Sequence, residues 1–595
     1  MMLKRSSSSV SLSLMLTKRL NSSSTTHDVF NQSKPFVNIN LYDSDRTLKR
    51  LMKKYVNDNT VNTLTAFGKK CGSNNMINHS NNAEKNIPVL KQFDDYGRRI
   101  DVIDYNPSYH VLMEHGINSG CSTYGFNSNT KNGHMIRMAM LMMENQMEPG
   151  HCCPITMTAA AVPVLRQACN SDENIKLWYE KLLSQSYDPS NRPIEEKTGI
   201  TIGMSMTEKQ GGSDVRSNTT VAIPQDNGYY TLTGHKWFTS APMSDAFLTL
   251  SKTSNKSGEL SCFLVPRWCP NGERNKGFNV MRLKNKLADR ANASSEVEYN
   301  NALALMIGEE GKGIKTILQM VQLTRLDCII GASGSARRAI QLALNHTNNR
   351  SAFGSKLIKQ PLMENLLADL CITAEACTLS AIRMSEAFAD SEQGDKNPSD
   401  LFRIGVAILK YYCTKLQPNL TYECMEIFGG NGFTEDFPMS RLFRHSPLNS
   451  IWEGSGNVMT LDVLRASSCL PTLLEEIKSC KGVDTDFDSY CRSLESSLSS
   501  LLSQSGGSSV LEIQRAGRYI SDRLALALIG SIMLRYGHPV TAKAFIQTRL
   551  KSNETGFGLN YGSFIHTSSD ATQIIENNMP IFYSCLLYTS DAADE

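Results

Sequence analysis

Two switches in the period of the apolar residues divide this chain into three. From about Asp28 to Asn191, segments such as HMIRMAMLMMENQM and KLWYEKLLSQ place their apolar residues at helical spacing. From Gly199 to about Leu305 the period drops to two. VAIP, YYTLTGHKWFTS, AFLTLSK, SCFLVP, FNVMRL and SEVEYNNALAL are short runs rich in Val, Thr, Tyr and Phe, and Asp226-Asn227-Gly228 before YYTLTG is a hairpin signal. From Gly311 the helical period returns in three long stretches, RLDCIIGASGSARRAIQLALNHTNNR, PLMENLLADLCITAEACTLSAIRMSEAFAD and RIGVAILKYYCTKLQPNLTYECMEIF. Long amphipathic helices with short joints predict an antiparallel bundle, closed by the segment after Glu453.

The expected fold is therefore α+β and multidomain. An N-terminal helical domain covers 27–197, a small β-barrel or sandwich 198–305, a four-helix bundle 306–465, and an additional C-terminal helical region 466–583. At 595 residues the chain exceeds what one hydrophobic core supports, which agrees with this division. Within the last region, SLESSLSSLLSQSGGSS reads as a surface helix followed by a loop. Residues 1–26 are basic and Ser-rich with no acid, the composition of a mitochondrial transit peptide and too interrupted to cross a bilayer; no transmembrane segment is expected. Residues 584–595 follow no period and read as a non-native tail.

Charge and cysteine usage narrow the function classes. A formal charge of +3, from 61 basic and 58 acidic residues mixed along the chain, gives no global case for nucleic acid, and the region after Ala466 shows no basic excess. The 16 cysteines are scattered, without a C-x-x-C pair or His/Cys zinc spacing, so neither a disulfide scaffold nor a structural metal is expected.

Five short stretches carry chemistry-bearing residues. In MTEKQGGSD, Met206 to Asp214, Gly211 and Gly212 allow close backbone approach, and Thr207 and Ser213 offer hydroxyls; a turn explains the same residues. In GHKWFTS, Trp237 and Phe238 beside Thr239 and Ser240 suit a flat heteroaromatic ligand, or a core with a satisfied indole N–H. RSAFG, from Arg350 through Phe353, and EIFGGNGF, with Gly429 and Gly430, end long helices and could meet a pyrophosphate or simply stop the helix. In NSIWEGSGN, Glu453 follows Ile451 and Trp452 and precedes Gly454, Ser455 and Asn457. It is a base, or it complements the start of a helix that Ser455 or Asn457 caps.

Together and in this order these stretches resemble the acyl-CoA dehydrogenase family. Thr207, Glu208, Gly211, Gly212, Ser213 and Asp214 meet its first motif. Glu426, Gly429, Gly430, Gly432, Phe433, Asp436 and Arg441 meet the second, whose final acidic or amide position is His445 here. THDVFNQ, CPITMT, GMSMTEKQGGSDVRSNTT, ANASSEVEY, QPLM and NSIWEGSGN are similar to the AidB-like branch, and the likeness spans nearly all the chain except its ends.

The resemblance implies FAD between the β domain and the bundle. Met206, Thr207, Gly212, Ser213, Trp237, Phe238, Thr239 and Ser240 would lie along it, with Ile451, Trp452, Gly454, Ser455 and Asn457 closing the site. Arg350, Phe353, Gly429 and Gly430 would contact the flavin of a neighbouring subunit, which implies a homo-oligomer, by family habit a tetramer. Glu453 would be the catalytic base toward an acyl-CoA. Some relatives carry that Glu on an earlier helix, where this chain has Thr324. An electron-transfer flavoprotein is the implied electron acceptor. Three functions remain open: a dehydrogenase, or oxidase, of acyl-CoA; a flavoprotein of stress response or DNA protection; and a slow acyl-CoA-sequestering regulator.

Overall fold

The computed structural model describes residues 26–127, 132–170, 173–226, 228–253, 258–503, 510–551, 560–563 and 565–581. Residues 1–25 of the expected transit peptide, Asn227 of the hairpin signal, the loop after the serine-rich helix and the expected non-native tail lie outside the described residues.

The first region begins with helices α1 (Arg46–Met52), α2 (Asp58–Cys71) and α3 (Asn74–Lys85). It continues after a hairpin with α4 (Pro107–Asn118), the single turn α5 (Tyr124–Asn127), α6 (Asn132–Met147), α7 (Cys152–Ala168) and α8 (Glu173–Leu182). Starts are set by short polar side chains: Asp45, Asn57, Ser73 and Asn106 each accept from a first-turn amide. The hairpin, β1 (Val89–Phe93) with β2 (Arg99–Asp104), is strand where an all-helical domain was expected. Its strands hold too few residues to outweigh the helical pattern around them, although VLKQF and RIDVID alternate and flank a DYG turn. Arg99 and Gln92 tie the hairpin to the Val280 carbonyl of the β domain, and the buried Asp101 carboxylate takes Arg274 and the Val280 amide.

The β domain is a closed seven-stranded sheet: β3 (Ile202–Ser205), β4 (Val221–Pro224), β5 (Tyr230–Ser240), β6 (Ala246–Thr253), β7 (Leu260–Pro266), β8 (Phe278–Leu283) and β9 (Ser294–Ile307). The order is β3-β6-β4-β5-β9-β7; the β6–β7 pairing closes β6, β4, β5, β9 and β7 into a ring, to which β3 adds at β6 and β8 at β9. β9 runs past the boundary expected at 305 because Leu303–Ile307 still find partners, Ala304 with Tyr230 and Ile307 with Cys262. The β5–β9 register shifts between Lys236 and Thr239. A bulge there lets both of these side chains bury while Phe238 between them stays 48% exposed.

The bundle consists of α9 (Gly313–Asn349), α10 (Pro361–Ser391) and α11 (Lys396–Ile427), with α12 (Pro438–His445) and α13 (Gly456–Arg465) against α11. α10 is apolar enough to cross a membrane, but 89% of its most apolar window is buried in protein, as befits a core helix. The added region is helical as expected: α14 (Leu470–Lys478), α15 (Thr485–Ser503), α16 (Val510–Arg515), α17 (Gly517–Tyr536), α18 (Pro539–Arg549) and α19 (Ser568–Asn578). It is fastened to the bundle by ions, with Glu476 of α14 taking both Arg383 of α10 and Arg535 of α17.

Buried charge also joins the three regions. His151 donates from both ring nitrogens, to Glu144 and Glu148 at 2.9 Å each, and all three are buried. Among the described residues Cys71, His115 and Glu144 come from three helices to place potential ligand atoms within 4.8 Å of one another, a set no sequence spacing reveals. Glu144 is already held by His151, and the Cys71 thiol lies 3.3 Å from His115 Nε2. His445, the departure from the second motif, turns to the β domain: its Nδ1 lies 2.7 Å from Asp289. Arg441 goes instead to the first region, donating to Ser80 and to the Met147 carbonyl, and Arg444 pairs with Glu435. The position that departs from the motif thus finds its own acid in another domain.

Candidate functional site

Glu453 stands in the turn between α12 and α13 with φ of 57°, the left-handed region that costs a residue with a side chain about 1 kcal/mol. The turn is held by cations. Lys410 Nζ, from the middle of α11, donates to the carbonyls of Trp452 at 2.7 Å and Gly454 at 2.6 Å. Arg325 Nε, from α9, donates to the carbonyl of Glu453 itself at 3.0 Å, while its other arm pairs with Asp462 of α13. Three consecutive carbonyls therefore end on buried or half-buried positive charge, and the strained turn is over-determined by its surroundings.

The Glu453 carboxylate does not reach the helix that follows. Thr324 of α9 donates from Oγ1 to Glu453 Oε2 at 2.7 Å, the shorter contact of that hydroxyl, which also lies 3.0 Å from the Val321 carbonyl. Oε1 has no partner among the described residues, and the Glu453 backbone N–H has none either. Burial pushes the Glu453 carboxyl above its ordinary range; the Thr324 hydroxyl, Arg325 and Lys410 oppose that shift without cancelling it. The capping alternative is not what the turn does. Ser455 is the N-cap of α13 but makes no side-chain capping bond, and Asn457 accepts instead from Arg518 of α17. Trp452 donates its indole N–H to Asn449 at 3.0 Å, which fixes the ring, and Ile451 is exposed.

Across the barrel edge the expected residues divide. Thr239 is fully buried with its hydroxyl 2.5 Å from Ser205, so only its backbone can face a ligand; Ser240 lies 3.1 Å from Ser294 and is half-buried. Trp237 lies beneath the Lys284 ammonium, 3.1 Å from the ring centre, and that cation also stands 4.7 Å from the Phe238 ring. The first motif is pinned to the same strand by the Trp237 amide on the Thr207 carbonyl. Its Glu208 is structural. Buried, it takes Lys236 at 3.0 Å, the Thr220 hydroxyl at 2.6 Å and the Thr219 amide at 2.6 Å, and despite the burial these hold its carboxyl down at about 2. Ser213 is exposed, Met206 half-buried, and a Cβ on Gly212 would strike the Thr207 hydroxyl at 2.4 Å, so only glycine fits there.

The two helix-end motifs meet elsewhere. Arg350, Gly429, Gly430 and Asn431 line one cleft of about 370 Å³ with His346, Phe428 and Glu426. An added Cβ on Gly429 or Gly430 would meet nothing within 4 Å, so this backbone faces open space. Arg350 is steadied by the Asn31 carbonyl at 3.1 Å, and Asn31 clasps both backbone groups of Ser351. Phe353 is fully exposed, which is unusual for so large an apolar side chain. Thr324 and Arg350 lie 26 positions apart on or just beyond α9, roughly 39 Å along its axis. The sequence thus marks two separate surfaces in one chain. It did not mark Lys410 or Arg325, although a lysine inside the apolar run VAILKYYC is the signal that could have found the first.

Family models match three consecutive parts of the chain: the adaptive response protein AidB N-terminal domain over residues 31–189, the acyl-CoA dehydrogenase middle domain over 203–302, and the acyl-CoA dehydrogenase C-terminal domain over 311–468. The chain is 38% identical to AidB of Escherichia coli K12 over 530 residues, 88% of this chain and 94% of that one. It is 30% identical to acyl-CoA dehydrogenase family member 11 of Caenorhabditis elegans over 437 residues, 71% of this chain and 69% of the relative. The crystal structure of Caenorhabditis elegans ACDH-11 in complex with C11-CoA superimposes with a TM-score of 0.80 at 26% identity, covering 88% of this chain and 93% of that one.

Proposed function

The chain belongs to the acyl-CoA dehydrogenase family of oxidoreductases, in its AidB-like branch, and on that premise we propose that it dehydrogenates an acyl-CoA thioester between its α and β carbons with Glu453 as the base. The observation that carries this reading is Glu453 itself: a carboxylate lifted by burial, oriented by Thr324, with Oε1 unengaged and its own backbone N–H unpaired beside it. Oε1 suits removal of the α-proton, and the N–H suits the thioester oxygen whose negative charge grows as that proton leaves. A base with a raised pKa is better matched to a weak carbon acid. The crystallised relative was captured with C11-CoA, which supports an acyl-CoA ligand here.

The residues present fit FAD. Exposed Phe238 and Ser213, half-buried Trp237 and Ser240 and the turn from Ile451 to Asn457 would line its flavin end. Arg350 and the open backbone at Gly429 and Gly430 would hold a pyrophosphate or adenosine end. When bound, FAD supplies the hydride acceptor that no side chain can provide. The separation of these two surfaces along α9 exceeds the span of one dinucleotide, which supports a cofactor shared between subunits and so a homo-oligomer, with a tetramer as the expected form. We infer further an electron-transfer flavoprotein as the onward acceptor and, from the acid-free, Ser-rich start, a mitochondrial location.

Anaerobic addition of saturated acyl-CoAs of increasing length, followed at the flavin band, tests the reading. Rapid bleaching with one length class supports dehydrogenation. A band that shifts without bleaching favours acyl-CoA sequestration instead.

A further inference from the structure

Lys410 has no exposed surface and lies among Val406, Ala407, Ile408 and Leu409 on a core helix. An ammonium ion in such a place needs acceptors, and among the described residues it has two, the carbonyl oxygens of Trp452 and Gly454, which bracket Glu453. It forms no ion pair among those residues. Arg325, the other cation on this turn, shares the Asp462 carboxylate with Arg403, whereas Lys410 reaches no carboxylate at ion-pair distance among the described residues. Burial lowers the Lys410 pKa to about 8, against the opposing pull of Cys328 and Glu453, in keeping with an ammonium held without a carboxylate.

The Trp452 carbonyl and the Glu453 N–H are the two ends of one conjugated peptide unit. A cation hydrogen-bonded to the oxygen draws electron density through that unit and makes the N–H a stronger donor. That N–H has no acceptor among the described residues. The same ammonium holds the Gly454 carbonyl, so it also fixes the left-handed turn that aims the N–H and the Glu453 side chain together.

We propose that Lys410 is a positioning residue of the acyl-CoA reaction, polarising the Trp452–Glu453 peptide so that the Glu453 N–H binds and polarises the thioester carbonyl. The proposal rests on the acyl-CoA reading above and adds to it the source of that polarisation. A lysine that only fills space beneath the turn would affect folding but leave the N–H in place, and with it the electronic state of a bound thioester.

The test uses the FAD-loaded protein and a para-substituted cinnamoyl-CoA, an unsaturated thioester whose absorption band moves to the red as its carbonyl oxygen receives a stronger hydrogen bond. Wild type is expected to bind the probe with a red shift. Lys410→Met is expected to retain flavin and bind the probe with less than half of that shift, and to reduce flavin about tenfold or more slowly at saturating acyl-CoA. Lys410→Gln keeps a donor without the charge and is expected to fall between them; it decides by the same comparison if the methionine variant does not fold. A wild-type shift in the variants, or a wild-type protein that binds the probe without a shift, overturns the role of Lys410. A wild-type protein that binds neither the probe nor any acyl-CoA overturns the acyl-CoA reading itself.

Discussion

The Thr324 hydroxyl donates to Glu453 Oε2 across 2.7 Å, tying the middle of α9 to the turn before α13. A hydrogen bond to a carboxylate favours its charged form, so this contact restrains the upward shift that burial imposes on Glu453. Thr324→Val removes the donor at nearly constant volume. The Glu453 pKa then rises further, and the acid limb of the pH profile for flavin reduction moves to higher pH. Stopped-flow reduction rates across pH measure it; an unmoved limb would show that the hydroxyl leaves the base untouched.

Glu208 and Lys236 form a fully buried pair at 3.0 Å inside the barrel. Lys236→Met leaves the Glu208 carboxylate among donors too weak to replace an ammonium, and is expected to destabilise the protein by about 3–5 kcal/mol. The Glu208 pKa, held down at about 2, sits below its ordinary 4.5, so its contribution is present above that range and is lost as pH falls between about 4.5 and about 2. Thermal melts over this window should show a drop in wild type that the variant lacks.

His151 behaves in the opposite sense. Burial works against its charge, but Glu144 and Glu148 on its two nitrogens hold its pKa up at about 10. A raised pKa stabilises fully below the unfolded value of 6.5 and is lost as pH climbs toward about 10. Wild-type melting temperature should therefore decline across that alkaline range. His151→Gln should lower stability by about 3–5 kcal/mol near neutrality, because two buried carboxylates lose their counter-ion.

Arg350 faces the cleft with Gly429 and Gly430, away from Glu453. Arg350→Ala is expected to leave the fold intact, as judged by far-ultraviolet dichroism, while flavin absorbance per chain falls at least several-fold on gel filtration. Full flavin content in that variant would remove this cleft from cofactor binding.

Much of this arrangement was legible in the sequence for definite reasons. The long helices carry a sustained helical period, and the barrel strands show either alternation or, as in the wholly buried β7, a short apolar run between turn signals, so both declare themselves locally. Glu453 drew notice through its place between a tryptophan and a run of small residues, where it reads either as a base or as the complement of a helix start. Lys410 was not conspicuous, since its meaning depends on two carbonyls more than 40 residues further along the chain. His445 read as a departure from a motif until the fold supplied Asp289, 156 positions away, as its partner. Thr324 was notable in the sequence only for lacking a carboxylate; the structure gives it a hydrogen bond to the carboxylate that is present.

In the proposed reaction Glu453 takes the α-proton. The most direct measurement compares wild type with Glu453→Gln, both FAD-loaded, in anaerobic single-turnover reduction by the acyl-CoA that bleaches wild type fastest. The variant is expected to bind flavin and acyl-CoA as wild type does and to reduce flavin about 10²–10⁴-fold more slowly. Bleaching at the wild-type rate would contradict it.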